Sequence, residues 1–152
     1  MNFMELVRRL GEDIGAEGGV TPDADGVVHL ACGELIVSLM SRGDRLLMLG
    51  PVCELPQEGG DRLATALLRG NFPLGPKDGG ILSLSEGKTV FLHRSVPLET
   101  VEADEILGEL DDFIIELVTW RENVKDMIKD GVPEPKAGDA GTPDLGDGFV
   151  RA

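Results

Sequence analysis

Little in this chain of 152 residues is equipped for covalent or metal chemistry. It has two cysteines, Cys32 and Cys53, and two histidines, His29 and His93. The cysteines fit no CxxC pair or zinc pattern and read as small buried hydrophobes in a reducing compartment. On a strand, His29 and Cys32 would point to opposite faces, because the side-chain period is two. Neither histidine has an evident carboxylate or thiol constellation, and both read as structural. No serine sits in a GxSxG elbow. No apolar run is long enough for a signal peptide or a membrane span, so the protein is expected to stay in the cytoplasm. Cations are also scarce: 14 Lys and Arg stand against 28 Asp and Glu, for a formal net charge of −14. That balance excludes nucleic acid and anionic membranes as natural partners and favours basic or apolar polypeptide.

Two local patterns imitate ligand sites and fail on inspection. Gly87-Lys88-Thr89 matches the end of a phosphate-binding loop. Leu82 stands where that loop needs its first glycine, and "VFLHRSV" follows where a helix must begin. The triplet reads instead as a hairpin corner with a three-residue loop, Ser85-Glu86-Gly87, in which Gly87 takes positive φ and Leu84 faces Lys88. "TPDADGVVHLAC" resembles a calcium loop, but its first and twelfth ligand positions are Thr21 and Cys32, so it reads as a turn. Neither a cofactor nor a metal is expected.

What the chain does have is periodic apolar patterning, with 41% hydrophobic residues. Phe3, Leu6, Val7, Leu10 and Ile14 predict a helix over 2–16. Val27–Ala31, Glu34–Met40 and Arg45–Val52 read as strands joined by short turns, hence antiparallel. A helix is predicted over Asp61–Arg69, ended by Gly70-Asn71, and "PLGPKDGG" follows as a loop. Ile81–Leu84 and Lys88–Val96 are strands. A long helix covers Val101–Lys129, acidic at its start and basic at its end, as the helix dipole favours. Its acidic residues read as a solvated face. The order α-β-β-β-α-β-β-α is an α+β fold: an antiparallel twisted sheet packed with helices. Residues 1–130 form one domain, and 131–152, rich in Gly, Pro and Asp, read as a disordered tail.

Both faces of the predicted strands are apolar. Leu35, Val37 and Leu39 alternate with Ile36 and Met40, and Leu46 and Met48 with Leu47 and Leu49. Helices on one side need only one apolar face. The second set must meet another helix, a second subunit or a partner.

At this point the chain resembles the class I chaperones of type III secretion systems, the Tir-chaperone (CesT-like) family. "ALLRGNFPLG" resembles the end of that family's second helix. "GGILSLSEGKTVFLHRSVPLE" resembles its last hairpin, and "ILGELDDFIIELVTWRENV" its final helix. The resemblance spans about residues 3–128. It implies a homodimer that is not an enzyme and that holds the extended N-terminal segment of a secreted effector. By position it implies Leu63, Leu67, Ile81 and Phe91 at the dimer interface. It places Phe3, Leu6, Leu10, Ile36, Met40 and Met48 against the partner. The alternative is a protein-binding scaffold of the same fold unrelated to secretion. A small hydrolase lacks its catalytic constellation.

Overall fold

The computed structural model describes residues 1–71 and 79–132. The expected tail, from 133 onward, and residues 72–78 of the predicted loop lie outside the described residues. Within them the elements run α1 (Phe3–Asp13), β1 (Val28–Cys32), β2 (Leu35–Arg42), β3 (Arg45–Glu54), α2 (Gly60–Gly70), β4 (Ile81–Leu84), β5 (Thr89–Pro97) and α3 (Ala103–Asp130). The strands form one antiparallel sheet in the order β1-β2-β3-β5-β4.

Each helix has a local cause. Asn2 caps α1, its Oδ1 accepting the Glu5 amide at 2.9 Å, and Leu6, Val7 and Leu10 recur on the buried side. At the start of α3 the Glu105 carboxylate reaches back to the Glu102 amide. Ile106, Leu110, Phe113, Leu117 and Val124 give α3 its buried stripe. In α2 the buried residues are Gly60, Leu63 and Leu67. Gly70 ends that helix under the Trp120 ring: a Cβ there would lie 2.5 Å from the indole, so only glycine lets α2 approach α3 this closely.

Alternation along the strands sorts residues into two faces. Val28, Leu30, Val37, Leu39, Leu46, Met48, Leu82, Val90, Leu92 and Val96 are buried and point to the helices. Phe113 and Leu117 lie between α3 and the sheet, fully buried. The helix comes down directly on β3, where a Cβ on Gly50 would be 2.4 Å from a Leu117 methyl. A bulge between Pro51 and Cys53 breaks the β3–β5 ladder, and the Pro51 carbonyl accepts from Arg121 at 3.0 Å.

The β4–β5 corner differs from the sequence expectation. The loop has three residues, but they are Glu86-Gly87-Lys88. Ser85 pairs with Thr89, its amide donating to the Thr89 carbonyl at 2.9 Å and its Oγ accepting the Thr89 amide at 3.1 Å. The left-handed position falls on Lys88, with φ 60°, and not on Gly87. The true register sets Leu84 against Val90 and Leu82 against Leu92. It is displaced by two residues, so every side chain keeps its expected face.

Candidate partner-binding face

The outer side of the sheet carries the second apolar set. Cross-strand register builds it in rows. One row runs Ile81, His93, Leu49, Ser38, His29, from β4 to β1. A second contains Ser83, Phe91 and Pro51, and a third Ser95, Leu47 and Met40. Ile36, opposite Ala31, extends the surface toward β1 and is 53% exposed. Met40, Leu47, Leu49 and Phe91 are half-buried, and none belongs to the buried core. Among the described residues, the helices pack against the opposite face.

The structure divides the expected site residues. Ile36 and Met40 are on the outer face, and Phe3 is half-exposed on α1. Leu6 and Leu10 are 2% exposed and Met48 is fully buried, so all three belong to the chain's own core. For Met48 the reason is register: Met40 pairs with Leu47, and Met48 pairs with the inward Leu39. Leu47 and Leu49 are therefore the outer-face neighbours of Met40. Leu63 and Leu67, 1% and 3% exposed, also face inward, whereas Ile81 is 41% exposed and Phe91 lies on the outer face. At the same edge Leu84 is exposed on the other side of β4, with Leu82, and Leu68 is exposed on the neighbouring α2.

The edge strand β4 is held from two sides. Asn71 gives it two hydrogen bonds, accepting the Leu82 amide at 2.9 Å and donating to the Leu82 carbonyl at 3.0 Å. The side-chain amide thus imitates a neighbouring strand. On the inner face, Arg94 interrupts the apolar run of β5. Its guanidinium meets Glu109 at 2.9 Å and Glu116 at 2.6 Å, with the arginine side chain 11% exposed. Glu116 also accepts the Gly80 amide through both oxygens at 2.9 Å. These two glutamates are therefore structural, which corrects the expectation of a solvated acidic face for them, while Asp104, Glu105, Asp111 and Asp112 are exposed as expected. Arg94 Nε is buried with no partner among the described residues.

His29 also departs from the sequence expectation. It has a carboxylate partner, Asp23 Oδ2, at 3.0 Å from Nε2, and Ser38 Oγ at 2.9 Å from Nδ1. Asp23 Oδ1 accepts the Asp25 and Val27 amides, both at 2.9 Å. These bonds, the Val27 amide foremost and His29 next, hold the Asp23 carboxyl below its usual pKa. The three side chains close the expected turn on β1 and lie on the open side of the sheet. Cys53 is half-buried; burial raises its thiol pKa, and nearby Arg121 opposes the rise. Among the described residues there is no cluster suited to a metal ion, and no helix is long and apolar enough to cross a membrane.

Known proteins share this architecture. The model of the Tir chaperone protein (CesT) family matches residues 5–121. No curated protein matches the chain significantly. Among solved structures, a chain of the HopA1-SchA chaperone-effector complex matches with a TM-score of 0.62 at 17% identity, over 79% of this chain and 93% of that one. The Yersinia pestis type III secretion chaperone SycH, in complex with a fragment of YscM2, matches with a TM-score of 0.61 at 16% identity, over 78% and 99%. YbjN from E. coli, a candidate transcription regulator, matches with a TM-score of 0.62 at 11% identity, over 83% and 94%. At these identities the structural matches speak to the fold alone.

Proposed function

This chain belongs to the Tir chaperone protein (CesT) family, whose members are type III secretion chaperones and not enzymes, and from that premise we propose how it holds its effector. The observation that carries the proposal is the apolar outer face of the sheet, which no helix covers among the described residues. An effector's extended N-terminal segment lies across Ile36, Met40, Leu47 and Leu49, whereas Phe3 sits with α1 on the helix side of the sheet, packed against the core. Burying that apolar surface offsets the entropy lost by ordering the segment, so a broad contact is required. Leu6, Leu10 and Met48 support the face from inside without touching the client. Holding requires no nucleotide, and the acidic surface keeps the loaded complex dispersed in the cytoplasm.

The chaperone acts as a homodimer. Ile81 and Leu84 on edge strand β4, with Leu68 on α2 and Phe91 beside them, supply the apolar interface, and Leu63 and Leu67 fix α2 behind it. Light scattering at micromolar concentration should give twice the chain mass, and Ile81→Asp should give monomer. Leu67→Asp is the wrong test, because it buries an unpaired charge in the protomer's own core.

The client reading is tested by co-expression with the secreted product of a neighbouring gene, followed by co-purification. The parent protein should retain that client, and Leu49→Asp should lose it while melting at nearly the same temperature. If Leu49→Asp retains the client fully, the outer face is not the binding surface. Retention of only non-secreted proteins would count against the effector reading.

A further inference from the structure

The outer face is polarised along the strands. Across all five strands the only acidic residue is Glu54, in a chain with 28 Asp and Glu. The face is thus distinct from the acidic surface around it. Apart from the Asp23 carboxylate bonded to His29 at the β1 edge, its charges gather at the two ends. Arg42 and Arg45 pair across the β2–β3 turn, and alternation puts both on the side of Met40 and Leu47. Arg45 lies over β5, donating to Ser95 Oγ at 2.7 Å and to the Ser95 carbonyl at 2.9 Å. At the opposite end, Glu54 pairs with Thr89 on the side of Phe91, and Glu34 stands in the turn that enters β2 beside Ile36. Glu34, Arg42, Arg45 and Glu54 are all exposed. Asp44 and Glu86 sit in the turns beyond the two ends.

We infer that this face selects an extended segment with an apolar centre, an acidic end seated over Arg42 and Arg45, and a basic end seated over Glu34 and Glu54. This rests on the reading of the outer face as the client surface and adds the chemistry and orientation of what it takes. β3 spans ten residues, Arg45 to Glu54. At strand rise this is about 30 Å, so an extended segment of roughly ten residues reaches from one charged end to the other. A strand laid on a sheet packs within about 30° of the strands below it, so the segment runs along this polarity and not across it. Exposed charges add little affinity, but they set register and orientation and penalise like-charged partners. The overall charge alone would favour a segment that is basic throughout. The two arginines discriminate against that choice at one end.

The test uses the full-length protein and three dye-labelled synthetic peptides. Each has four Leu-Ser repeats, flanked by Glu-Glu on one side and Lys-Lys on the other, by lysines on both sides, or by glutamates on both sides. Fluorescence anisotropy at low salt should rank the mixed peptide tightest, by roughly five- to tenfold over either of the others. Glu54→Lys should move the preference toward the all-acidic peptide. A nitroxide on the acidic end of the mixed peptide should broaden the amide signals of Ser41 to Arg45 and spare Glu34 and Glu54. The inference is overturned if the all-lysine peptide binds at least as tightly as the mixed one, if the label broadens the Glu34 and Glu54 end, or if none of the peptides binds. Should Leu49→Asp still abolish client retention in any of these cases, the client surface stands and only its polarity is wrong. Should Leu49→Asp retain the client, the surface itself is wrong.

Discussion

The two faces of the sheet are made of nearly the same residues and have different fates. Leu39, Leu46, Met48 and Leu92 on the inner face are almost fully buried, while Met40, Leu47, Leu49 and Phe91, one residue along the same strands, remain half-exposed. Hydrophobicity is non-directional and does not distinguish the sets. The difference comes from what lies above them. Phe113 and Leu117 of α3 and Leu6 and Leu10 of α1 close the inner face. Its one charged intrusion, Arg94, is met by Glu109 and Glu116. The inner face is therefore already committed to folding, and among the described residues no helix covers the outer one.

The largest test of that division is a truncation on each side. Phe113→Ala removes a fully buried ring between α3 and the sheet and should cost about 3–5 kcal/mol in urea unfolding. Leu49→Ala on the outer face should cost less than about 1 kcal/mol in the same measurement. Equal losses would mean that something within the chain covers the outer face, and the contrast would collapse.

A smaller effect is expected at Arg94. Arg94→Met leaves two partly buried carboxylates without their cation and frees the clamp on Gly80. The glutamates are 34% and 23% exposed, so solvent screening limits the loss to about 2 kcal/mol. Adding Glu109→Gln and Glu116→Gln should recover most of it, because neutral amides remain and the new side-chain carbonyl on α3 can still accept the Gly80 amide. No recovery would mean that Arg94 matters for the packing of its stem and not for its charge.

The order of elements is legible in the sequence because each carries its own period, 3.6 or 2, over enough residues to be read. The face assignment of β4 and β5 survives a register displaced by two, since an even shift preserves alternation. The site is less legible. Met48 groups with Ile36 and Met40 by chemistry, but the β2–β3 register pairs Met40 with Leu47. A tight Gly43-Asp44 turn, with Arg42 opposite Arg45, is the sequence signal that separates them. Leu63 and Leu67 form a sound apolar stripe, and a stripe does not say whether it meets its own sheet or a second subunit. Asn71 bonding Leu82, and Glu116 bonding both Arg94 and Gly80, join residues far apart in the chain. No local pattern announces them.

The smallest effect sharpens the comparison at its hinge, the β4–β5 corner that sends residues to one face or the other. Lys88 occupies the left-handed region at φ 60°, where an L side chain costs roughly 1–2 kcal/mol. Lys88→Gly removes that strain but adds freedom to the unfolded chain, so it should stabilise by about 0.5–1 kcal/mol. Gly87 has no positive φ, and a Cβ there would meet only Ser85 Oγ, at an ordinary 3.7 Å. Gly87→Ala should therefore be neutral to slightly stabilising. If the corner were Ser85-Glu86-Gly87, with the left-handed position on the glycine, the outcomes would reverse: Gly87→Ala would destabilise and Lys88→Gly would weaken a strand. Paired urea melts of the two variants separate these registers, because the two predictions differ in sign as well as in size.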